Sequence, residues 1–295
     1  MPVNELEQHP FINYQDELIP PSIINYKSLI IGSFPVYAVT DSVNQNFQVV
    51  TNRFRLEKAK FKFFYGSKKS DFWKLVSSSL NGEDPTDSLP PFDYNLRKQN
   101  AISLLERNKI LITDSIYRTN RIEERDEDKN LMITNPPCFA SNNLQLNDIN
   151  NLLERYPSIE TLYFTSTMIN EKSPFGWFIQ GLGENLIGNP VWRANGGRGW
   201  YSEININGRI YSSFLLPTPK ARGVHFSNNR RLEMFCNYME SVDHQFYNEI
   251  FGILENERTE IQSNRLSQLR MGFLVECYRQ ALVYKNPEFN GTINH

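Results

Sequence analysis

The sequence predicts an α/β fold, a three-layer α/β/α arrangement with a four-stranded parallel sheet and a helical C-terminal extension. Two observations predict it. Four short apolar segments end in small or polar residues, as buried strands do, and helical patterns separate them. The strands are predicted at residues 28–34, 109–113, 160–165 and 209–216, and the main helices at 71–80, 99–107 and 146–156. Strands that alternate with helices indicate parallel βαβ units, whose functional groups gather at the carboxyl ends of the strands.

The rest of the chain divides into long loops and a helical tail. Residues 36–62, 81–94 and 173–207 are predicted as loops of a length that is uncommon unless it is functional. After Phe226 the pattern is almost wholly helical to about residue 285, with an apolar stripe and charged faces. We therefore expect one α/β domain over residues 1–240 and a helical extension over residues 241–295.

Composition excludes several classes of protein. The chain has 295 residues, of which 40% are hydrophobic and 13% aromatic, enough for one large core. Its three cysteines, Cys138, Cys236 and Cys277, are too scattered for a disulfide framework or a zinc site. No signal peptide or membrane span is visible in the pattern. These features predict a reduced, cytoplasmic protein without metal, cofactor or membrane partner.

The charge distribution suggests a nucleic-acid partner despite a net charge of −2. Residues 52–74 hold eight basic and two acidic side chains, and residues 193–231 hold seven basic and one acidic. Such runs are commonly only solvated faces. Both segments border predicted functional loops, however, where cations could contact phosphates.

Three motifs stand at predicted strand ends. The first strand ends in GSFP (32–35), followed by FFYG (63–66) and by a Phe–Trp pair (72–73) that opens a helix. The second strand ends at Asp114, and the fourth runs into LLPTP (215–219). A glycine at a strand end permits close approach to a ligand, and Pro35 stiffens the turn. Each motif alone has an ordinary alternative: a nucleotide-binding turn, a core aromatic pair, a cap after a strand or a proline-rich turn.

Taken together and in this order, the motifs resemble the hypoxanthine-DNA glycosylase branch of the uracil-DNA glycosylase superfamily. There the pattern runs roughly G-S-M-P-G, then Y-Y-A-H-P-R-N-A-F-W, with an L-P-S-x-S-P-A loop after the fourth strand. The resemblance covers roughly residues 13–239. It implies a monofunctional DNA glycosylase, which flips a base from duplex DNA and hydrolyses its N-glycosidic bond.

The resemblance also implies roles for particular residues. Asp114 falls where the superfamily reads the base edge, and Ser70 falls where relatives place an asparagine that positions water, with Asp71 beside it. The catalytic candidates are Asp71, Ser70 and Asp114. The substrate-binding candidates are Gly32, Ser33, Phe34, Phe64, Tyr65 and Thr218, and the DNA-binding candidates are Lys68, Lys69, Lys220 and Arg222.

The sequence departs from the family at two points. Ser70 replaces the asparagine, and the loop from Pro35 to Phe64 is much longer. An ionised aspartate at 114 offers only acceptors, which suit an exocyclic amine such as that of cytosine. The long basic loop and the Trp-rich segment 173–207 are either elaborations of the scaffold or walls of a pocket enlarged for a bulky base, such as a hypermodified cytosine of phage DNA. In the second case the protein would be a defence enzyme.

Three alternatives stay open at this stage. The protein could be a repair glycosylase for uracil or hypoxanthine. It could instead be a degenerate glycosylase fold that binds DNA without cutting it, as the loss of asparagine at Ser70 suggests. A flavodoxin-like small-molecule enzyme is less favoured, because GSFPVYAV lacks the residues of a phosphate-binding loop.

Overall fold

A computed structural model describes residues 7–17, 23–35, 60–86, 93–119, 144–192, 200–219, 229–249 and 264–293. The strands are β1 (Glu7–Gln8), β2 (Ser28–Gly32), β3 (Ile110–Asp114), β4 (Ile116–Thr119), β5 (Leu144–Leu146), β6 (Thr161–Phe164), β7 (Tyr201–Ile206) and β8 (Arg209–Leu215). The helices are α1 (Phe72–Ser79), α2 (Tyr94–Arg107), α3 (Ile149–Arg155), α4 (Pro174–Leu182), α5 (Asn229–Val242) and α6 (Asn264–Leu282).

The main sheet is mixed and has five strands in the order β3-β2-β6-β8-β7. Neighbours among β3, β2, β6 and β8 pair in parallel, while β7 pairs antiparallel to β8. The α/β class predicted from the sequence is confirmed. The sheet is nevertheless not the four-stranded parallel one that we expected, because β7 adds an antiparallel edge strand.

The extra strand comes from the segment predicted as a long loop over residues 173–207. That segment also contains α4, which begins at Pro174. Ser173 caps this helix, because its hydroxyl accepts a hydrogen bond from the Gly176 amide. Asn207 and Gly208, both at positive φ, join β7 to β8. An Asn-Gly pair between two strands is a strong hairpin signal, so the sequence does contain an indication of this connection.

A second, smaller sheet lies beside the main one. It joins β1, β4 and β5 in the order β1-β4-β5, with antiparallel pairing throughout. β4 starts two residues after β3 ends, so the small sheet continues from the carboxyl end of the main sheet. β1 in turn carries the residues after it, His9 and Phe11, to this end of the molecule.

The C-terminal helix packs on the α/β core. Side chains of α6 are buried in the same hydrophobic cluster as the central strands: Leu266, Phe273, Leu274, Cys277, Tyr278 and Ala281. Two tyrosines join the parts, since the Tyr278 hydroxyl donates to the Pro217 carbonyl and the Tyr163 hydroxyl donates to the Ala281 carbonyl, each at 3.0 Å. The division of the chain at residue 240 stays a prediction.

Candidate functional site

The carboxyl ends of the parallel strands form one edge. Gly32 pairs in register with Asp114, Ile31 with Phe164, and Phe164 with Leu215. Strands lie about 4.8 Å apart, so three spacings separate Asp114 from the end of β8 by about 14 Å. The ends of all three sequence motifs therefore lie within the span of a single nucleotide pocket.

At this edge Asp114 is paired with a histidine. The side chains are almost fully buried, with 4% of Asp114 and 2% of His9 exposed. The Phe11 amide donates to His9 Nδ1 at 3.0 Å, so that ring nitrogen carries no proton. His9 Nε2 therefore carries the proton and donates it to Asp114 Oδ2 at 2.9 Å. The rings of Phe34 and Phe64 lie 5.6 Å and 5.1 Å from the imidazole and fix its plane.

The other oxygen of Asp114 is unusual. Oδ1 is buried and has no hydrogen-bond partner among the described residues. A buried carboxylate oxygen without a donor is unfavourable, so it calls for a ligand, a water or an ion. The amide of Asn147 fixes the backbone here, since its Nδ2 donates to the Asp114 carbonyl at 3.0 Å and to Thr113 Oγ1 at 2.9 Å.

Gly32 makes room for this oxygen. A Cβ on Gly32 would lie 2.1 Å from Asp114 Oδ1 and 2.3 Å from the Tyr65 hydroxyl oxygen. Both oxygens therefore lie against the end of β2, where any side chain would displace them. The glycine of the first motif is required by this close approach.

Tyr65 approaches the edge from the loop before α1. Its hydroxyl shares a hydrogen bond of 2.6 Å with Thr165 Oγ1, at the end of β6. Its ring stacks on Phe72, with centroids 4.1 Å apart and planes 20° from parallel. Its φ of 53° is rare for a bulky residue, which indicates that the surroundings hold it in place.

Phe64 lies in the hydrophobic core, unlike Tyr65, which follows it in the sequence. Only 1% of it is exposed, and its ring packs against Phe11, Tyr14 and Phe63. Its carbonyl accepts a hydrogen bond from Trp73 Nε1 at 2.8 Å. Of the two aromatic candidates, Phe64 thus belongs to the core and Tyr65 lies at the strand ends.

Asp71 precedes α1 on another side of the same edge. Its amide donates to the Pro219 carbonyl at 3.3 Å, which ties α1 to the loop after β8. Asp71 stands at the N-cap position but its carboxylate makes no cap, whereas Asp93 and Asp148 cap α2 and α3. The Ser70 hydroxyl accepts from the Phe72 amide at 3.2 Å. The Asp71 carboxylate is thus left for another use.

The surroundings of Asp71 are polar and only half-buried. Its Oδ2 is buried, and no group in the described part of the chain forms a hydrogen bond with it. Burial raises the pKa of the Asp71 carboxyl, Lys60 and Lys74 oppose that rise, and Asp84 adds to it. A carboxylate in such a setting can gain or lose a proton more readily near neutral pH than an exposed one can.

The remaining candidates occupy varied positions. The Ser33 carbonyl accepts from the Ile116 amide at 3.1 Å, and Phe34 packs in a small cluster with Ile116 and Trp177. Thr218, Lys68 and Lys69 are exposed. Lys220 and Arg222 lie outside the described residues. The edge therefore gathers Gly32, Tyr65 and Asp114 closely, with Asp71 and Ser70 at the start of α1.

His9 was missed in the sequence. It lies before residue 13, where the resemblance begins, and in a segment with no periodic pattern. The only available signal was a histidine beside Pro10, Phe11 and Ile12, in a chain with four histidines. Sequence spacing could not show that it meets a strand end 105 residues away.

No protein-family model, curated protein or solved structure matches the chain. In the part of the chain that the structure describes, no three His, Cys, Asp or Glu side chains are grouped to hold a metal ion. Among the same residues, no helix has the length and apolar character needed to cross a membrane.

Proposed function

We propose that the protein is a monofunctional DNA glycosylase that extrudes a modified base and hydrolyses its N-glycosidic bond to leave an abasic site. The observation that supports it most is the buried oxygen of Asp114 at the strand ends, which no described residue pairs with, beside Gly32 and Tyr65. A base edge is a ligand that could supply the missing donor. Flipping the nucleotide costs a few kcal/mol, which contacts of this kind would offset.

In this proposal the aromatic and glycine residues form the base pocket. Tyr65 supplies the ring for stacking, since the burial of Phe64 leaves that side chain to support the pocket wall. Gly32 makes room for the Asp114 and Tyr65 oxygens that line the pocket, and the backbone around Ser33 and Phe34 faces the departing base. Asp114 reads the base edge.

Asp71 is the proposed catalytic carboxylate. It orients a water and takes its proton as the water oxygen bonds to C1′ of the sugar. The bond from C1′ to the base nitrogen breaks, and the electron pair leaves with the base, which is then protonated from solvent. The negative charge of Asp71 also stabilises the positive charge that develops on the sugar. Ser70 supports this geometry through its hydrogen bond to the start of α1.

The DNA backbone is proposed to lie over the basic residues near this edge. Lys68 and Lys69 are exposed beside Asp71, and Lys220 and Arg222 follow the loop after β8 in the sequence. The Thr218 loop would press into the duplex. The proposal includes a three-layer arrangement, a glycosylase-like domain over residues 1–240 and a cytoplasmic location.

The preferred substrate is a modified cytosine of the kind found in phage DNA, with uracil or hypoxanthine repair as the alternative. A second candidate function is a DNA-binding module without catalysis. Ser70 favours it, because its hydroxyl accepts from the Phe72 amide and it offers no side-chain amide to hold a water.

One assay tests these functions. The protein is incubated with duplexes carrying uracil, hypoxanthine, 5-hydroxymethylcytosine or its glucosylated form, and abasic sites are detected by alkaline strand cleavage. We expect abasic sites on at least one modified-cytosine duplex. Release of only uracil or hypoxanthine would support repair, and salt-dependent binding without release would support the binding module. Absence of both binding and release would exclude the proposal.

A further inference from the structure

We propose that His9 determines base specificity by holding Asp114 as a fixed hydrogen-bond acceptor, so that the site selects bases with an exocyclic amino group over bases with a carbonyl at the same position. This inference rests on the part of the proposed function in which an extruded base binds at the strand ends. It assigns a role to a residue outside the sequence motifs.

The direction of each hydrogen bond around His9 is fixed. The Phe11 amide can only donate, so His9 Nδ1 accepts at 3.0 Å and the ring proton resides on Nε2. The Nε2 proton points at Asp114 Oδ2, 2.9 Å away. Three aromatic rings, those of Phe11, Phe34 and Phe64, lie within 6.0 Å of the imidazole. The imidazole is thus packed in one orientation and one tautomer.

This arrangement determines which atom of Asp114 is left for a ligand. Oδ2 is occupied by His9, and Oδ1 is buried with no hydrogen-bond donor from any residue that the structure describes. The His9 donor holds Oδ2, while Oδ1 occupies the space that a side chain at position 32 would fill. The ligand therefore meets a single, oriented acceptor.

A fixed acceptor discriminates between bases by their hydrogen-bonding edge. An amino group such as cytosine N4 or adenine N6 donates to it, while the carbonyl of uracil or hypoxanthine places an acceptor against an acceptor. A site built around a buried polar group rejects an analogue that lacks the matching group by large factors, since the group is left unpaired. A modification elsewhere on the base would be read by other residues.

A purely structural role for His9 makes a different prediction. If the pair only stabilised the fold, its loss would lower activity on every base by the same factor. A specificity role changes the ratio between two bases instead. That ratio is the quantity to measure.

The test uses three pairs of duplexes whose target bases differ only by amino group against carbonyl: 5-hydroxymethylcytosine and 5-hydroxymethyluracil, cytosine and uracil, adenine and hypoxanthine. Single-turnover release and equilibrium binding are measured for each pair. We expect the native protein to prefer the amino member of its best pair by about 100-fold or more. His9→Leu, which removes the donor, should reduce that preference at least tenfold.

His9→Gln is the matched variant, because its amide can donate from about the position of Nε2 and should restore most of the preference. Asp114→Asn, which offers a donor and an acceptor, should bring the two members of each pair close to parity even if His9→Leu does not fold. An equal loss on both members in His9→Leu, or a native preference for the carbonyl member, would overturn the inference and leave the glycosylase proposal standing. Binding preference without base release would overturn the glycosylase proposal and sustain the inference.

Discussion

Asp114 and Asp71 have one unusual feature in common, although their surroundings differ. Each has a buried carboxylate oxygen to which no described residue donates a hydrogen bond. Asp114 is almost fully buried, and His9 and Asn147 hold its side chain and backbone in place. Asp71 is half-buried, and burial raises its pKa against the opposing charges of Lys60 and Lys74.

The two carboxylates therefore lie in surroundings that would suit two different roles. A carboxylate fixed by a histidine suits recognition, because its acceptor does not move. A carboxylate with a raised pKa suits proton transfer, because it can exchange a proton at a pH closer to neutral.

The largest effect is expected from Asp71→Asn. The substitution keeps the shape and removes the charge and the proton acceptor, so base release should fall about 10²–10⁴-fold while DNA binding is retained. Single-turnover kinetics measure base release, and fluorescence anisotropy measures DNA binding. Asp93→Asn is the control, because Asp93 also precedes a helix and asparagine replaces it well as a cap. If Asp71→Asn kept full activity and Asp114→Asn released no base, the catalytic role would belong to Asp114 and not to Asp71.

Gly32→Ala should disturb the position of the Asp114 carboxylate. The new methyl group would overlap Asp114 Oδ1 and the Tyr65 hydroxyl, so we expect stability to fall by about 1–3 kcal/mol and base release by about 100-fold. Chemical denaturation and single-turnover kinetics measure these changes. Gly181→Ala serves as the control, since its Cβ would meet neighbours only at ordinary contact distances of 3.6–3.8 Å. If Gly32→Ala behaved like Gly181→Ala, the close approach would have no functional importance.

The pH dependence of stability should reveal the raised pKa of Asp71. The pKa of Asp71 is raised in the folded protein, so the folded state binds its proton more tightly than the unfolded state does. As pH rises from the ordinary aspartate range through the raised pKa, this group makes folding less favourable. Asp71→Asn should therefore gain stability relative to the native protein over that window, as measured by urea unfolding at several pH values. A difference that is constant with pH would show that Asp71 has an ordinary pKa.

The smallest effect concerns the binding of phosphates beside Asp71. Charge reversal at Lys68 or Lys69 should reduce the slope of log affinity against log salt by about 0.9 for each phosphate that is no longer neutralised. Binding isotherms at four salt concentrations measure the slope. Lys109→Glu is the matched control, because Lys109 is exposed at the opposite, amino end of β3. A native slope near zero would exclude DNA as a partner.

The sequence predicted the parallel strands better than the edge of the sheet. The apolar runs of β2, β3 and β6 are buried on both faces and are therefore easy to recognise. β7 was not predicted because it lies within the Gly- and Trp-rich segment interpreted as a long loop, although its burial pattern, with an exposed Glu203 between buried neighbours, is that of an edge strand. The hairpin signal at Asn207-Gly208 would have identified it.

The site could be predicted in part for a physical reason. Gly32 and Asp114 end strands that pair in register, so topology alone brings them together. His9 could not be placed, because its position depends on an antiparallel pairing of β1 with β4, which is distant in the sequence. The different places of Phe64 and Tyr65 depend on a positive φ at Tyr65, which no local pattern indicates.

The two hydrogen bonds that hold the loop after β8 have a consequence for how the site is assembled. The Asp71 amide donates to the Pro219 carbonyl, and the Tyr278 hydroxyl donates to the Pro217 carbonyl. Tyr278 is added by the ribosome 61 residues after Pro217, so the loop is held in part by a residue that is synthesised much later. The hydrogen bond of His9 likewise cannot form until Asp114, 105 residues later, has been synthesised. Contacts so distant in sequence slow folding. A nascent chain that stopped near residue 239 would carry all three motifs and still lack the helix that holds the Pro217 loop, so we expect the site to form only late in synthesis.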